Sequence, residues 1–212
     1  FAFRHSGENF VLRAMAGDVL PVVGVSQMLL YHLGENDLSI RAELELDVRE
    51  APLREFSLLI PAGFSPAGLQ VSDLADYFIT PVDEKNARLR LVFSKPVLGR
   101  VVAKLELESN AGVAQGPWSP PRIVPEKVKS LRGQVGVSVS PGVRVKVADF
   151  EGLVEMATAF FPKKEEDLQL AFRIKGEDWN LELTHERIER SLRVDALQVF
   201  SIGEGVAYGS SV

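Results

Sequence analysis

The sequence predicts an all-β chain: antiparallel, β-sandwich-like lobes with little helix, amounting to one period of a longer array. Three observations predict it. Apolar and polar residues alternate with a period of two over most of the chain. Turn residues interrupt the alternation at a spacing of about 10 residues, the rhythm of sandwiches and open rolls. A short block near the start recurs near the end.

The longest alternating run is Asp37 to Val48. Leu38, Ile40, Ala42, Leu44, Leu46 and Val48 fall on one face, with Ser39, Arg41, Glu43, Glu45 and Asp47 on the other. A helix would scatter those apolar positions around its circumference, whereas a strand with one packed and one wet face collects them. The same rule marks Leu89-Leu91-Phe93, Val101-Ala103-Leu105-Leu107, Val135-Val137-Val139 and Val143-Val145-Val147. It also marks Leu168-Leu170-Phe172-Ile174 and Trp179-Leu181-Leu183.

Turn chemistry separates these runs. Ser140-Pro141-Gly142 between two valine strands predicts a tight hairpin. Lys95-Pro96-Val97-Leu98-Gly99 predicts a break between two strands, and Ile60-Pro61-Ala62-Gly63-Phe64 the end of another. Helical expectations are few: a short helix over Phe150 to Phe161, weakened by Gly152, and one turn over Ser72 to Tyr77 capped by Ser72.

The recurring block is Ala2-Phe3-Arg4-His5-Ser6-Gly7-Glu8-Asn9-Phe10 against Ala171-Phe172-Arg173-Ile174-Lys175-Gly176-Glu177-Asp178-Trp179. A weaker match sets Asp18-Val19-Leu20-Pro21-Val22 against Asp195-Ala196-Leu197-Gln198-Val199. The competing explanation is chance likeness between amphipathic strands. Repetition predicts that residues 1–17 end one unit and residues 201–212 begin the next. The start, Phe-Ala-Phe-Arg, and the end, in a β-type run, fit the boundaries of a piece or processing sites. Between them lie a first lobe, 18–108, and a second, 126–200. Residues 109–125 hold four prolines and two glycines, which cannot pair as a central strand. They predict a linker between lobes or, alternatively, an extended crossover within one body.

Composition bounds the chemistry. The 212 residues are 46% hydrophobic and 25% charged, as in an ordinary globular protein. A chain of this size buries roughly 70% of its unfolded surface, so it needs no staples. The net charge of −5 has mixed signs, which argues against a nucleic-acid partner. No cysteine is present, which excludes disulfides, thiolate metal sites and a cysteine nucleophile. No apolar run reaches the roughly 18 residues of a spanning helix.

The candidate catalytic groups have simpler explanations. His5, His32 and His185 lack metal-ligand spacing, and His185 is in phase with the core residues of its strand. Glu43, Glu45 and Asp47 share a wet strand face, where solubility and edge protection account for acids. Asp73, Asp76, Asp83 and Glu84 offer oxygen ligands but no EF-hand pattern. Glu165-Glu166-Asp167 is a charged loop. No Gly-x-Ser-x-Gly, Ser-x-x-Lys or phosphate-binding glycine loop occurs. The expectation is therefore no catalytic, cofactor-binding or metal residue. Trp118, Tyr31 and Tyr77 are the candidates for a ligand-binding surface, as a flat aromatic platform for sugars. The alternative makes Trp118 a clasp at the seam between lobes. Trp179 is expected in the core.

One pattern spans about two-thirds of the chain. It runs Glu55-Phe56-x-Leu58-x-Ile60-Pro61-x-Gly63, Leu69-x-Val71, Asp76-Tyr77 and Leu89-x-Leu91-x-Phe93-x-x-Pro96-x-x-Gly99. It continues from Arg132-Gly133 through Ala171-Phe172 to Trp179-x-Leu181-x-Leu183. This pattern resembles large bacterial, envelope-associated, all-β tandem-repeat proteins of unassigned function. The resemblance implies a bacterial source and an extracytoplasmic setting, and transfers no functional residue. The expected function is a non-catalytic structural or interaction module, with neighbouring repeat units as partners and other envelope proteins or polysaccharide as further ones. A carbohydrate-binding module is the alternative.

Overall fold

The computed structural model describes residues 17–34, 36–111, 116–176 and 178–186, positions 11 and 13, and the backbone of 187, 198–203 and 206–211. The block 2–10 and the segment Asp195–Leu197, on which the repeat expectation rests, lie outside the described residues.

The fold is all-β and sandwich-like. Fourteen strands are described: β1 (Val22–Leu33), β2 (Leu38–Pro61), β3 (Ser65–Val71), β4 (Leu74–Pro81), β5 (Asn86–Ser109), β6 (Pro117–Trp118), β7 (Val124–Pro125), β8 (Ser130–Val139), β9 (Val143–Glu151), β10 (Leu153–Glu155), β11 (Leu168–Ile174), β12 (Asn180–Arg187), β13 (Gln198–Gly203) and β14 (Val206–Ser211). Nine form one sheet in the order β10-β11-β8-β1-β2-β5-β3, with β4 also on β5 and β7 also on β2. A second sheet has the order β6-β12-β9, and β13 pairs with β14.

The predicted alternation decides which side chains are buried. Leu38, Ile40, Leu44, Leu46 and Val48 of β2 are at most 4% exposed, while the residues between them reach solvent. They share one core with Leu29 and Tyr31 of β1, Leu105 and Leu107 of β5, Val135 and Val137 of β8, and Phe172 of β11. Val143 and Val145 of β9 and Leu181 and Leu183 of β12 close that core from the second sheet. Trp179 is buried beside them. Each such side chain contributes roughly 1.5–3 kcal/mol of transfer free energy.

Segments 18–108 and 126–200 both supply strands to the large sheet. The join is β1 on β8, a parallel ladder from Gly24↔Ser130 to Leu33↔Val139. Parallel neighbours need a long crossover, and everything from β2 to β7 intervenes. Residues 117–125 touch both sheets: β6 pairs with β12, and β7 pairs with β2. Ile123 between them is buried.

Four local expectations are corrected. Ser140-Pro141-Gly142 is a corner rather than a hairpin, because β8 lies in the large sheet while β9 pairs with β12 in the small one. Gly142, at φ 91°, takes the left-handed conformation of that corner. Lys95 to Gly99 bends one 24-residue strand, β5, without ending it. Its partner β2 bends at the same level, where pairing skips from Val48↔Gly99 to Leu53↔Val97. The expected helix over Phe150–Phe161 is two strands and a single 3₁₀ turn, Thr158–Phe160, because the first residues find a partner in β12. The helical turn over Ser72–Tyr77 is a two-residue turn leading into β4, with Asp73 at φ 57°.

The outer face of the large sheet is covered at one end. Phe161, after the 3₁₀ turn, packs on Leu30 and Ala171. Gly136 makes the space: a Cβ there would lie 2.8 Å from the Phe161 ring. Arg41 of β2 ties the same loop down through Glu165 at 3.1 Å. Among the described residues, none covers the other end of that face in this way.

Candidate functional site

Three regions bear on function: the seam around Trp118, the free edge of β4, and the uncovered end of the outer face.

At the seam, the structure brings Trp118 and Tyr31 together. Their ring centroids are 6.5 Å apart, edge to face. Tyr31 is fully buried and its hydroxyl donates to the Pro121 carbonyl at 2.7 Å. Trp118 is half-buried against it. The cluster pins the proline-rich segment to β1, as a clasp would. Arg122 reinforces it: its guanidinium donates to the Trp179 carbonyl at 2.9 Å and lies over the Trp179 ring. Tyr77 stands elsewhere, on β4, with its side chain 43% exposed. No ring contact joins it to the other two among the described residues.

Burial pushes the Tyr31 phenol above the ordinary tyrosine range, and the Arg122 charge only partly opposes it. The unfolded chain ionises this tyrosine near pH 10, while the native chain keeps it neutral to higher pH. The resulting stability is therefore present below about pH 10 and is lost as pH rises above it, by up to about 1.4 kcal/mol per pH unit. Urea unfolding at about pH 9.5 and about pH 11 should show a larger loss for the wild type than for Tyr31→Phe. Equal losses would refute the assignment.

Glu43, Glu45 and Asp47, on the outer face of β2, are each matched by a base. Glu43 meets Lys104 at 3.6 Å, Glu45 meets Arg100 at 2.7 Å, and Asp47 accepts from Arg49 Nε at 2.9 Å. That last bond holds the Asp47 carboxyl below the ordinary range, with Arg132 adding a smaller pull. Asp73 and Asp83 flank β4 at opposite ends, separated by roughly 25 Å of extended chain. Asp83 caps its own turn through the amides of Lys85 and Asn86. Among the described residues, no three His, Asp or Glu side chains converge as a metal site. His32 bonds the hydroxyls of Ser138 and Ser140 at 3.0 and 3.2 Å. His185 lies on β12 with a buried Nδ1. His5 lies outside the described residues.

The edge of β4 differs from the rest of the surface. β4 pairs with β5 on one side, and no strand covers its other side among the described residues. Tyr77, Phe78, Ile79 and Val82 are each 39–45% exposed. Tyr77 and Ile79 sit opposite Leu91 and Leu89, so they extend the core beyond its last strand. Phe78 faces the other way, with Arg90 stacked 4.9 Å from its ring centroid. From Leu74 to Pro81 the only charge is Asp76. Natural edges are usually guarded by lysines or inward charges, and this one is not.

The uncovered end of the outer face is a trough of about 560 Å³. Gly24, Ser26 and Ser130 form its low floor, and Glu45, Asp47, Arg49, Glu50, Lys129 and Arg132 rise around it. The register dictates this layout. Gly24 and Ser26 of β1 lie between Asp47 and Glu45 of β2 and Ser130 and Arg132 of β8. The two walls are thus two strand spacings, about 10 Å, apart. Glu50 sits at the rim in a left-handed conformation, φ 66°, at the bulge that bends β2. Sequence reasoning missed this trough. The available signal was Gly24-x-Ser26, two small residues in the outward phase of a strand.

No family model and no curated protein matches the chain. Among solved structures, it is similar to an M1 zinc metallopeptidase from Deinococcus radiodurans, studied as its E323A mutant, at 12% identity and a TM-score of 0.47. That match covers 85% of this chain and 44% of the other. A two-domain M1 zinc metallopeptidase bound to L-tryptophan gives 10% identity and a TM-score of 0.43, over 90% and 47% of the two chains. The chain spans less than half the length of these structures. No helix among the described residues is long and apolar enough to cross a membrane.

Proposed function

We propose that this chain is a non-catalytic structural and interaction module, whose β4 edge takes up a strand from a neighbouring unit of the same parent protein. One observation carries the reading: an unguarded edge strand with apolar side chains on both faces. Such an edge is a template for strand addition, in which main-chain bonds supply affinity and alternating side chains supply selectivity. The recurring block in the sequence supports the choice of partner, since units of an array stack on their neighbours. A bacterial, extracytoplasmic setting is part of the same proposal.

Hydrogen exchange tests it. The amides of residues 74–81 that point away from β5 should exchange fast in this chain alone, and at least tenfold more slowly in the parent protein. Phe78→Asp with Ile79→Asp should remove that protection and leave exchange in β1 and β2 unchanged. Equal exchange of β4 in both contexts would refute the proposal.

A further inference from the structure

We propose that the trough between β2 and β8 binds a small molecule through an oxyanion, carboxylate or phosphate, held by Arg132 and Lys129 over the hydroxyls of Ser26 and Ser130. This site is separate from the β4 edge.

The first support is space. A cavity of about 560 Å³ lies within the range of ligand sites, roughly 300–1,000 Å³. It exists because three neighbouring outward positions carry almost no side chain. Even a Cβ on Gly24 would lie 3.1 Å from Ser130 Oγ. At the other end of the same face, the corresponding space is filled by Phe161.

The second support is charge. The trough is formally balanced, with Glu45, Asp47 and Glu50 against Arg49, Lys129 and Arg132. The balance is not local. Asp47 is engaged by Arg49, and Glu45 by Arg100 from β5. On the β8 wall, neither Lys129 nor Arg132 forms an ion pair with a described residue. Two cations that form no ion pair with a described residue therefore face a floor of two hydroxyls, while Glu45 and Asp47 opposite are already engaged. A planar guanidinium fork and an ammonium suit a carboxylate or phosphate, and serine hydroxyls donate to its remaining oxygens. The strained backbone of Glu50 at the rim fits a shaped site, since left-handed non-glycine residues gather at functional sites. Its carboxylate repels an anion at that end, which fixes the oxyanion at the β8 end and leaves the ligand body along Gly24.

Titration of the chain with inorganic phosphate, and separately with acetate, followed by amide NMR, tests this. The amides of Gly24, Ser26, Ser130 and Arg132 should shift and saturate in the millimolar range with at least one anion. The anion that saturates at lower concentration identifies the preferred chemistry. Arg132→Gln and Lys129→Gln should each weaken binding at least tenfold, and Lys146→Gln on β9 should leave it unchanged. All three positions are exposed, so the spectra report binding in folded variants. Absence of saturation with both anions would overturn the site. So would shifts scattered over other lysines, or shifts that persist in the Arg132→Gln variant.

Discussion

Gly133→Ala is expected to unfold the chain or bring it close to unfolding, at a cost on the order of 4 kcal/mol. Gly133 sits opposite Gln27 in the parallel ladder of β1 and β8. A Cβ at Gly133 would lie 1.9 Å from the Gln27 carbonyl oxygen and 2.9 Å from its Cγ. The oxygen belongs to the backbone, so no rotamer change relieves the overlap and the strands must part. That ladder carries the join between the chain's two halves. Globular domains have only about 5–15 kcal/mol in total, so a loss of this size is close to the whole. Gly68→Ala is the control, because its Cβ meets Glu106 at an ordinary 3.6 Å. It should change stability by less than about 1 kcal/mol. Urea unfolding of both variants checks the pair. Similar midpoints for the two would mean that β8 does not approach β1 as closely as described.

Phe172→Ala should cost about 3–5 kcal/mol. Phe172 has no solvent exposure and faces Val135 on the core side of β11. Its ring centroid is 5.6 Å from that of Phe150 on β9, so it bridges the two sheets. Truncation removes the bridge and leaves a cavity that neither rigid sheet can collapse to fill. Phe160→Ala is the comparison. Phe160 is 77% exposed, and its loss should change stability by less than about 0.5 kcal/mol. The midpoint should fall for Phe172→Ala with an unchanged denaturant slope, as for a folded state weakened without being remodelled. A small loss at Phe172 would show that the two sheets are not held together through this contact.

Strand content and burial could be read from the sequence because they depend on a local rule. Side chains alternate across a strand wherever the strand goes. Leu38 to Val48 therefore announced their buried face without any knowledge of partners. One residue shows the limit of the rule. Gln27 occupies a core position of β1, 1% exposed, and neither amide atom has a hydrogen-bond partner. The slot left by Gly133 accepts its side chain, and no property of Gln27 itself foretells that slot. The clasp formed by Trp118 was among the expected roles because prolines exclude it from a central strand. That its partner would be Tyr31, 87 residues earlier, depended on the fold. The trough was illegible for the same reason: Ser130 and Gly24 become neighbours only through a ladder that spans more than a hundred residues of chain.

The sequence by itself determined that this protein is all-β, which residues of each strand face inward, and that disulfides and thiolate metal sites are excluded. Only the tertiary structure decided which strands meet. It made Ser140-Pro141-Gly142 a corner between sheets, bent β5 without breaking it, left the second side of β4 without a strand among the described residues and hollowed the outer face between β2 and β8. The physical reason is that alternation fixes the direction of a side chain, whereas pairing is a competition among many strands with nearly equal hydrogen-bonding capacity. That competition is settled by packing between residues far apart in sequence.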